Sequence, residues 1–114
     1  MRADGNAALR INDAAPLFAA LGDETRLRLV ARLAKTGPGS ISRLSEKADV
    51  TRQAVTKHLE ILEGAGLVTS HKVGRERVWQ LEPKRLSDAH QHLDAISKQW
   101  DVALDRLKHL VEDE

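Results

Sequence analysis

The sequence predicts a mainly α-helical domain carrying one small β-hairpin, and three observations predict it. Apolar residues recur at helical spacing along most of the chain, between breaks marked by Gly or Pro. That spacing gives way once to strand alternation, from Val68 through Leu81, around the turn Val73-Gly74-Arg75. The last third then repeats Leu86, Leu93, Ile96, Trp100, Leu104, Leu107 and Val111 in a pattern close to a heptad seam.

Each element has its own warrant. Residues 1 to 11 are expected to form a flexible arm and residues 12 to 114 the folded domain. Asn12 or Asp13 is expected to cap a first helix reaching about Leu21, with Pro16 in its opening turn and Leu17, Phe18 and Leu21 apolar. Gly22 breaks it. Asp23 caps a second helix to about Lys35, with a stripe expected from Leu27, Val30, Ala31 and Ala34. Thr36-Gly37-Pro38-Gly39 is a loop, Ser40-Ile41 a minimal strand, and Ser42 to Lys47 a short helix turning Ile41, Leu44 and Ala48 inward.

After a turn at Ala48-Asp49-Val50, Asp49 or Thr51 caps the next helix, which Gly64 and Gly66 stop. Inside it Val55, Leu59 and Leu62, at i, i+4 and i+7, form one buried stripe. The short helix, the turn and this helix make a helix-turn-helix, and the hairpin behind them makes a wing. Pro83 opens the last helix, roughly 35 to 40 Å long at 1.5 Å per residue. That is longer than the body needs, so its stripe calls for a second surface. The expected surface is another copy of the chain, with Leu17, Phe18, Leu93, Ile96, Trp100, Leu104 and Leu107 forming a two-fold homodimer interface. The alternative is a helix folded wholly back onto its own domain.

Composition narrows the function. With 114 residues, 41% hydrophobic and 31% charged, the chain fits one small domain with a modest core. Phe18, Trp79 and Trp100 are its only aromatic residues, so aliphatic side chains must fill that core. Absence of cysteine excludes disulfides, thiolate metal sites, iron–sulfur clusters and cysteine nucleophiles. No apolar run approaches the roughly eighteen residues of a membrane span, and no signal-peptide core opens the chain, so a cytoplasmic protein without a membrane partner is expected. There is no glycine-rich phosphate loop, nucleophile elbow or paired carboxylates in an evident cleft, so neither catalysis nor a cofactor is expected.

Net charge is only +1, but it is unevenly spread. Arg52, Lys57, Lys72, Arg75 and Arg77 gather in the middle, whereas the tail collects Asp101, Asp105, Glu112, Asp113 and Glu114. Opposite the buried stripe of the second helix of the helix-turn-helix lie Gln53, Thr56, Lys57 and Glu60, with Arg52 on the shoulder. Such side chains can hydrogen-bond base edges and phosphates in a major groove. A polar outward face is also what any solvated helix shows. The preceding helix and the following basic hairpin, with Lys72, Arg75 and Arg77, tip the reading toward double-stranded DNA. A protein-interaction module on the same scaffold is the alternative from another class, and near-neutral charge permits it.

Several strings resemble the ArsR family of bacterial winged-helix transcriptional repressors, over roughly Ala14 to Val111. They are Leu21-Gly22-Asp23-Glu24-Thr25-Arg26-Leu27-Arg28-Leu29, the run from Gln53 to Val68, and the wing from Lys72 to Trp79, where Trp replaces the usual Tyr. The resemblance implies a homodimer on a palindromic operator. It places Gln53, Thr56 and Lys57 at the bases, Thr51 and Arg52 at phosphates, Arg75 at the wing tip, and His58 packed under the helix or against backbone. Glu60 departs from a basic surface.

Many relatives sense metals. One kind of site pairs Asp-x-His on the last helix with His-x-x-His or His-x-x-Glu from the partner chain. Here Asp88-Ala89-His90 supplies the first half, but the second falls on Asp101 and Leu104, and Leu104 cannot ligate. The expectation is no metal, with Asp88 and His90 the candidates for a zinc- or nickel-responsive alternative. Trp100 resembles an aromatic in the last helix of a branch without metal ligands, often encoded beside SRPBCC-type lipid-binding proteins, which implies an autorepressor.

Overall fold

Side-chain caps start three of the helices. In a computed structural model, described for residues 10–46 and 48–112, the elements are α1 (Ile11–Leu21), α2 (Glu24–Thr36), β1 (Gly39–Ser40), α3 (Ile41–Ser45), α4 (Arg52–Gly64), β2 (Val68–Val73), β3 (Glu76–Leu81) and α5 (Pro83–Glu112). Asp23 caps α2 by accepting from the Arg26 amide at 3.0 Å, Ser40 caps α3 through Arg43 at 3.3 Å, and Thr51, rather than Asp49, caps α4 through Ala54 at 3.0 Å. The order is that of a winged helix-turn-helix, mainly α with a small antiparallel sheet.

Two boundaries differ from expectation. Neither Asn12 nor Asp13 caps α1; the helix starts at Ile11, behind Arg10, which offers no side-chain cap. Asp13 instead lies in the first turn, where its charge meets the positive end of the helix dipole. Pro16 therefore falls inside α1, leaving the carbonyl of exposed Asn12 to solvent. The minimal strand is Gly39–Ser40, because Ile41 already opens α3. The expected arm lies almost wholly in residues 1–9, outside the described residues.

The stripe of α2 is corrected more substantially. Leu29 and Leu33 are buried and Val30 is half-buried, whereas Leu27 is 52% exposed and Ala31 and Ala34 face out. Both stripes obey helical spacing and share Val30. Burying two leucines removes far more apolar surface than burying two alanines, so the helix turns toward the leucines.

A Schellman motif ends α4. The Leu67 amide donates to the Leu62 carbonyl and the Gly66 amide to that of Glu63, both at 2.9 Å, with Gly66 at φ 80°. Leu62 and Leu67 bury completely across it, which fixes the path of the chain into the wing. The sheet order is β1-β3-β2; Val68 pairs with Leu81 and Val73 with Glu76, while Gly39 pairs with Trp79. Gly74, at φ 64°, makes the tight wing turn possible.

One core joins Leu17, Leu29, Leu33, Leu44, Val55, Leu59, Leu62, Leu67, Val68 and Trp79. Leu17 is 0% exposed, so it belongs to the subunit's own interior and has no surface to offer another copy, which corrects its expected place in a dimer interface. Phe18 is half-buried, its ring 5.7 Å from that of His92 on α5. Beginning at Pro83, α5 has 30 residues and is roughly 45 Å long, longer than the expected span. Only its first part packs: from Leu93 to Glu112, every residue but Ala95 is exposed. No helix among the described residues is long and apolar enough to cross a membrane.

Candidate nucleic-acid interface

Burial fixes which side of α4 faces out. Val55, Leu59 and Leu62 are each 0% exposed, and this side packs on α1, α2, α3 and β2. The opposite side presents Arg52, Gln53, Lys57 and Glu60 to solvent. Among the described residues, Gln53 and Lys57 make no side-chain hydrogen bond or ion pair. Their amide and ammonium groups are therefore open to an incoming partner.

The other expected residues have internal duties as well. Thr51 Oγ1 serves the cap of α4. Thr56 is half-buried and its hydroxyl donates to the Arg52 carbonyl at 3.0 Å, which leaves its methyl group and an oxygen lone pair for recognition. Arg52 reaches back to Ser42 on α3, Nη2 donating to Oγ at 3.0 Å. This bond clamps the two helices of the helix-turn-helix at their exposed edge.

The wing carries Lys72 and Arg77 directly opposite each other across β2 and β3, and Arg75 exposed at the tip. Two like charges in register weaken a hairpin unless an anion meets them. Arg77 is partly satisfied: Nη1 donates to Ser70 Oγ at 2.7 Å, and Ser70 Oγ donates to Glu63 Oε2 at 2.9 Å. That relay ties the wing to the last turn of α4, so Arg77 braces as well as charges it. Lys72 and Arg75 have no such internal partner among the described residues.

Beneath α4 lies a junction that sequence reasoning did not assemble. Arg26 Nε donates to the Ala20 carbonyl at 2.6 Å, and its Nη1 lies 3.2 Å from His58 Nδ1. Asp23 Oδ2 is 3.8 Å from the same nitrogen. The Arg26 amide, more than any other group, holds the Asp23 carboxyl below the usual carboxylate range; partial desolvation opposes this, and the positive charge of Arg26 adds to it. Arg26 and His58 both lie within the strings that carried the family resemblance, but 32 residues separate them, and no local spacing links them. Ser70 and Glu63 were also missed, although strand parity puts Ser70 on the face of Lys72.

The metal candidates do not converge. Asp88 is half-buried and turned to Arg85, 3.5 Å away, while His90 is exposed two residues on. Among the described residues no three His, Asp or Glu side chains cluster as a metal site.

Known proteins share this fold. A helix-turn-helix domain family matches residues 21–71. The HTH-type transcriptional regulator Rv2034 of Mycobacterium tuberculosis is 38% identical over 95 residues, which cover 83% of this chain and 85% of the relative. The HTH-type transcriptional repressor SmtB of the same species is 31% identical over 94 residues, 82% of this chain and 67% of that protein. Among solved structures, an ArsR-like transcriptional regulator from Rhodococcus sp. RHA1 superposes with a TM-score of 0.73 at 37% identity, covering 87% of this chain and 92% of that one.

Proposed function

Because the chain belongs to the ArsR family of winged helix-turn-helix transcriptional regulators, a class without enzymatic activity, we propose that it binds a two-fold-related operator as a homodimer and represses transcription from it. One observation carries the reading: the stripe of α4 is fully buried while Gln53 and Lys57 stand free on its first two turns. In this reading Gln53, Thr56 and Lys57 contact base edges. Thr51, Arg52, Lys72, Arg75 and Arg77 meet the phosphate backbone, with Arg77 also bracing the wing.

Dimerisation rests on the uncovered apolar row of α5. Leu93, Ile96, Trp100, Leu104 and Leu107 project from one side of a helix that leaves the body, and Phe18 flanks its root. A second copy of the same row would cover it and set two recognition helices one duplex turn apart. The proposed setting is the cytoplasm. We assign no thiolate sensor, since no cysteine exists to build one, and no last-helix metal site, since Asp88 is engaged by Arg85.

The test is selection of a preferred duplex from a random-sequence pool, followed by titration across salt. Preference for a two-fold-related sequence, with affinity falling steeply as salt rises, supports the reading. Affinity equal to that for random duplex refutes it. A protein-interaction role instead predicts retained partner binding after charge reversal at Lys57 and Arg75.

A further inference from the structure

Resting on the DNA-reading proposal, we infer that Arg26 and His58 are positioning residues for the recognition helix, and that a proton on His58 undoes their coupling. Arginine has only donors, so its Nη1, 3.2 Å from His58 Nδ1, can hydrogen-bond there only when that nitrogen is bare, in the tautomer with its proton on Nε2. The same guanidinium donates from Nε to the Ala20 carbonyl at 2.6 Å, and the Arg26 amide donates to Asp23 at 3.0 Å. One side chain thereby ties the end of α1 and the start of α2 to the second turn of α4. His58 directly follows Lys57 in that turn, so the angle at which Lys57, Thr56 and Gln53 meet a groove is set partly at this bond.

Protonation replaces one partner by another. A proton on Nδ1 removes the acceptor and places two cations face to face at Arg26. Asp23 Oδ2, 3.8 Å away, is then the favourable partner. From α2 the charged groups facing the ring are Asp23 and Arg26; from α1 only the Ala20 carbonyl takes part, through Arg26; on α4 itself Lys57 and Glu60 point to solvent. Among the described residues no other ionisable side chain pairs with the ring. The acid form therefore draws His58 toward the Asp23 cap of α2 and releases its hold on Arg26.

Two variants separate positioning from mere packing. His58→Asn keeps an acceptor near the Nδ1 position but does not titrate. Arg26→Lys keeps the charge but cannot span the Ala20 carbonyl and His58 together. Affinity for a duplex selected by the wild-type chain at about pH 8 is measured down to about pH 5.5, the range in which histidines change charge. Circular dichroism is recorded at each point to confirm folding. Both proteins carry the same other histidines, so the ratio of wild-type to His58→Asn affinity isolates this one. That ratio is expected to be near one at the alkaline end and to fall on the order of tenfold at the acid end, the worth of one charge-assisted hydrogen bond. Arg26→Lys is expected to bind several-fold more weakly throughout. A flat ratio, or wild-type affinity in Arg26→Lys, overturns the inference. Nitrogen shifts of the His58 imidazole in the free protein read the coupling without DNA: the amides of Thr56 to Glu60 should move with the same midpoint as the ring, and if they stay still the coupling is absent. Should the wild-type chain select no duplex, the DNA reading fails, and these spectra still decide the junction.

Discussion

α4 and α5 are both amphipathic, yet their stripes meet opposite fates. Val55, Leu59 and Leu62 on α4 are 0% exposed, whereas Trp100, Leu104 and Leu107 on α5 are 61%, 54% and 57% exposed. Periodicity announces that a helix has an apolar side, but not where the covering surface lies. Length does that. The 13 residues of α4 fit beneath α1, α2, α3 and β2, while the 30 residues of α5 outrun the body within an overall extent of 68 × 39 × 23 Å. One stripe stabilises the subunit, and the other stays uncovered, which is the surface the proposed dimer would use.

The contrast breaks most sharply at paired leucines. Leu59→Ala is expected to destabilise the fold by about 2 to 5 kcal/mol, since a cavity opens where nothing can collapse freely. Leu104→Ala, measured in chain dilute enough to be monomeric, should leave stability nearly unchanged. Denaturant unfolding of both variants checks this. Equal losses would mean that α5 packs on its own subunit.

Next in size is the assembly itself. Trp100→Glu buries a carboxylate in the proposed seam and is expected to shift the chain from dimer to monomer in sedimentation at micromolar concentration. Duplex affinity should fall with it by on the order of a hundredfold, because two linked contacts become one. A variant that remains dimeric places the seam elsewhere on the molecule.

Legibility followed the same division. Caps, glycine stops and period changes are local, and they marked α4, the wing and the start of α2 from the chain alone. The stripe of α2 was misread because Leu27 and Leu29 both fit helical spacing, and only the packed core chooses between them. Leu17 was assigned to a subunit contact although it fills the interior, since an apolar helix face carries no mark of whether it meets its own chain or another. The Arg26–His58 junction and the Glu63–Ser70–Arg77 relay join elements through three-dimensional proximity, which residue spacing does not encode. Gln53 and Lys57, by contrast, were legible because exposure opposite a buried stripe is itself a periodic property.

Smaller effects distinguish the free face of α4 from the wing. Gln53→Ala is expected to cost about 1 to 3 kcal/mol on the preferred duplex and to relax the choice of one base. Arg75→Ala should weaken every duplex alike and lower the slope of log affinity against log salt by about 1. Binding-site selection for the first and salt titration for the second separate them. A base preference that changes with Arg75 would make the wing a reader.

The smallest expected effect compares an acid in the body with one on the projecting helix. Asp23 has a carboxyl held below its ordinary range, chiefly by the Arg26 amide, so its charged form is favoured by folding. Its contribution is fully present above the ordinary carboxylate pKa and is lost as pH falls through the lower folded value. Asp23→Asn keeps the cap acceptor but not the charge. The stability gap between wild type and this variant should accordingly persist at neutral pH and close only below about pH 4. Asp94, exposed and paired with Lys98 at 3.1 Å one turn along α5, is expected to show no measurable gap when changed to Asn. Denaturation midpoints across pH decide the comparison: a gap at Asp23 that widens in acid would reverse the sign, and the charge would then not be what the cap of α2 favours.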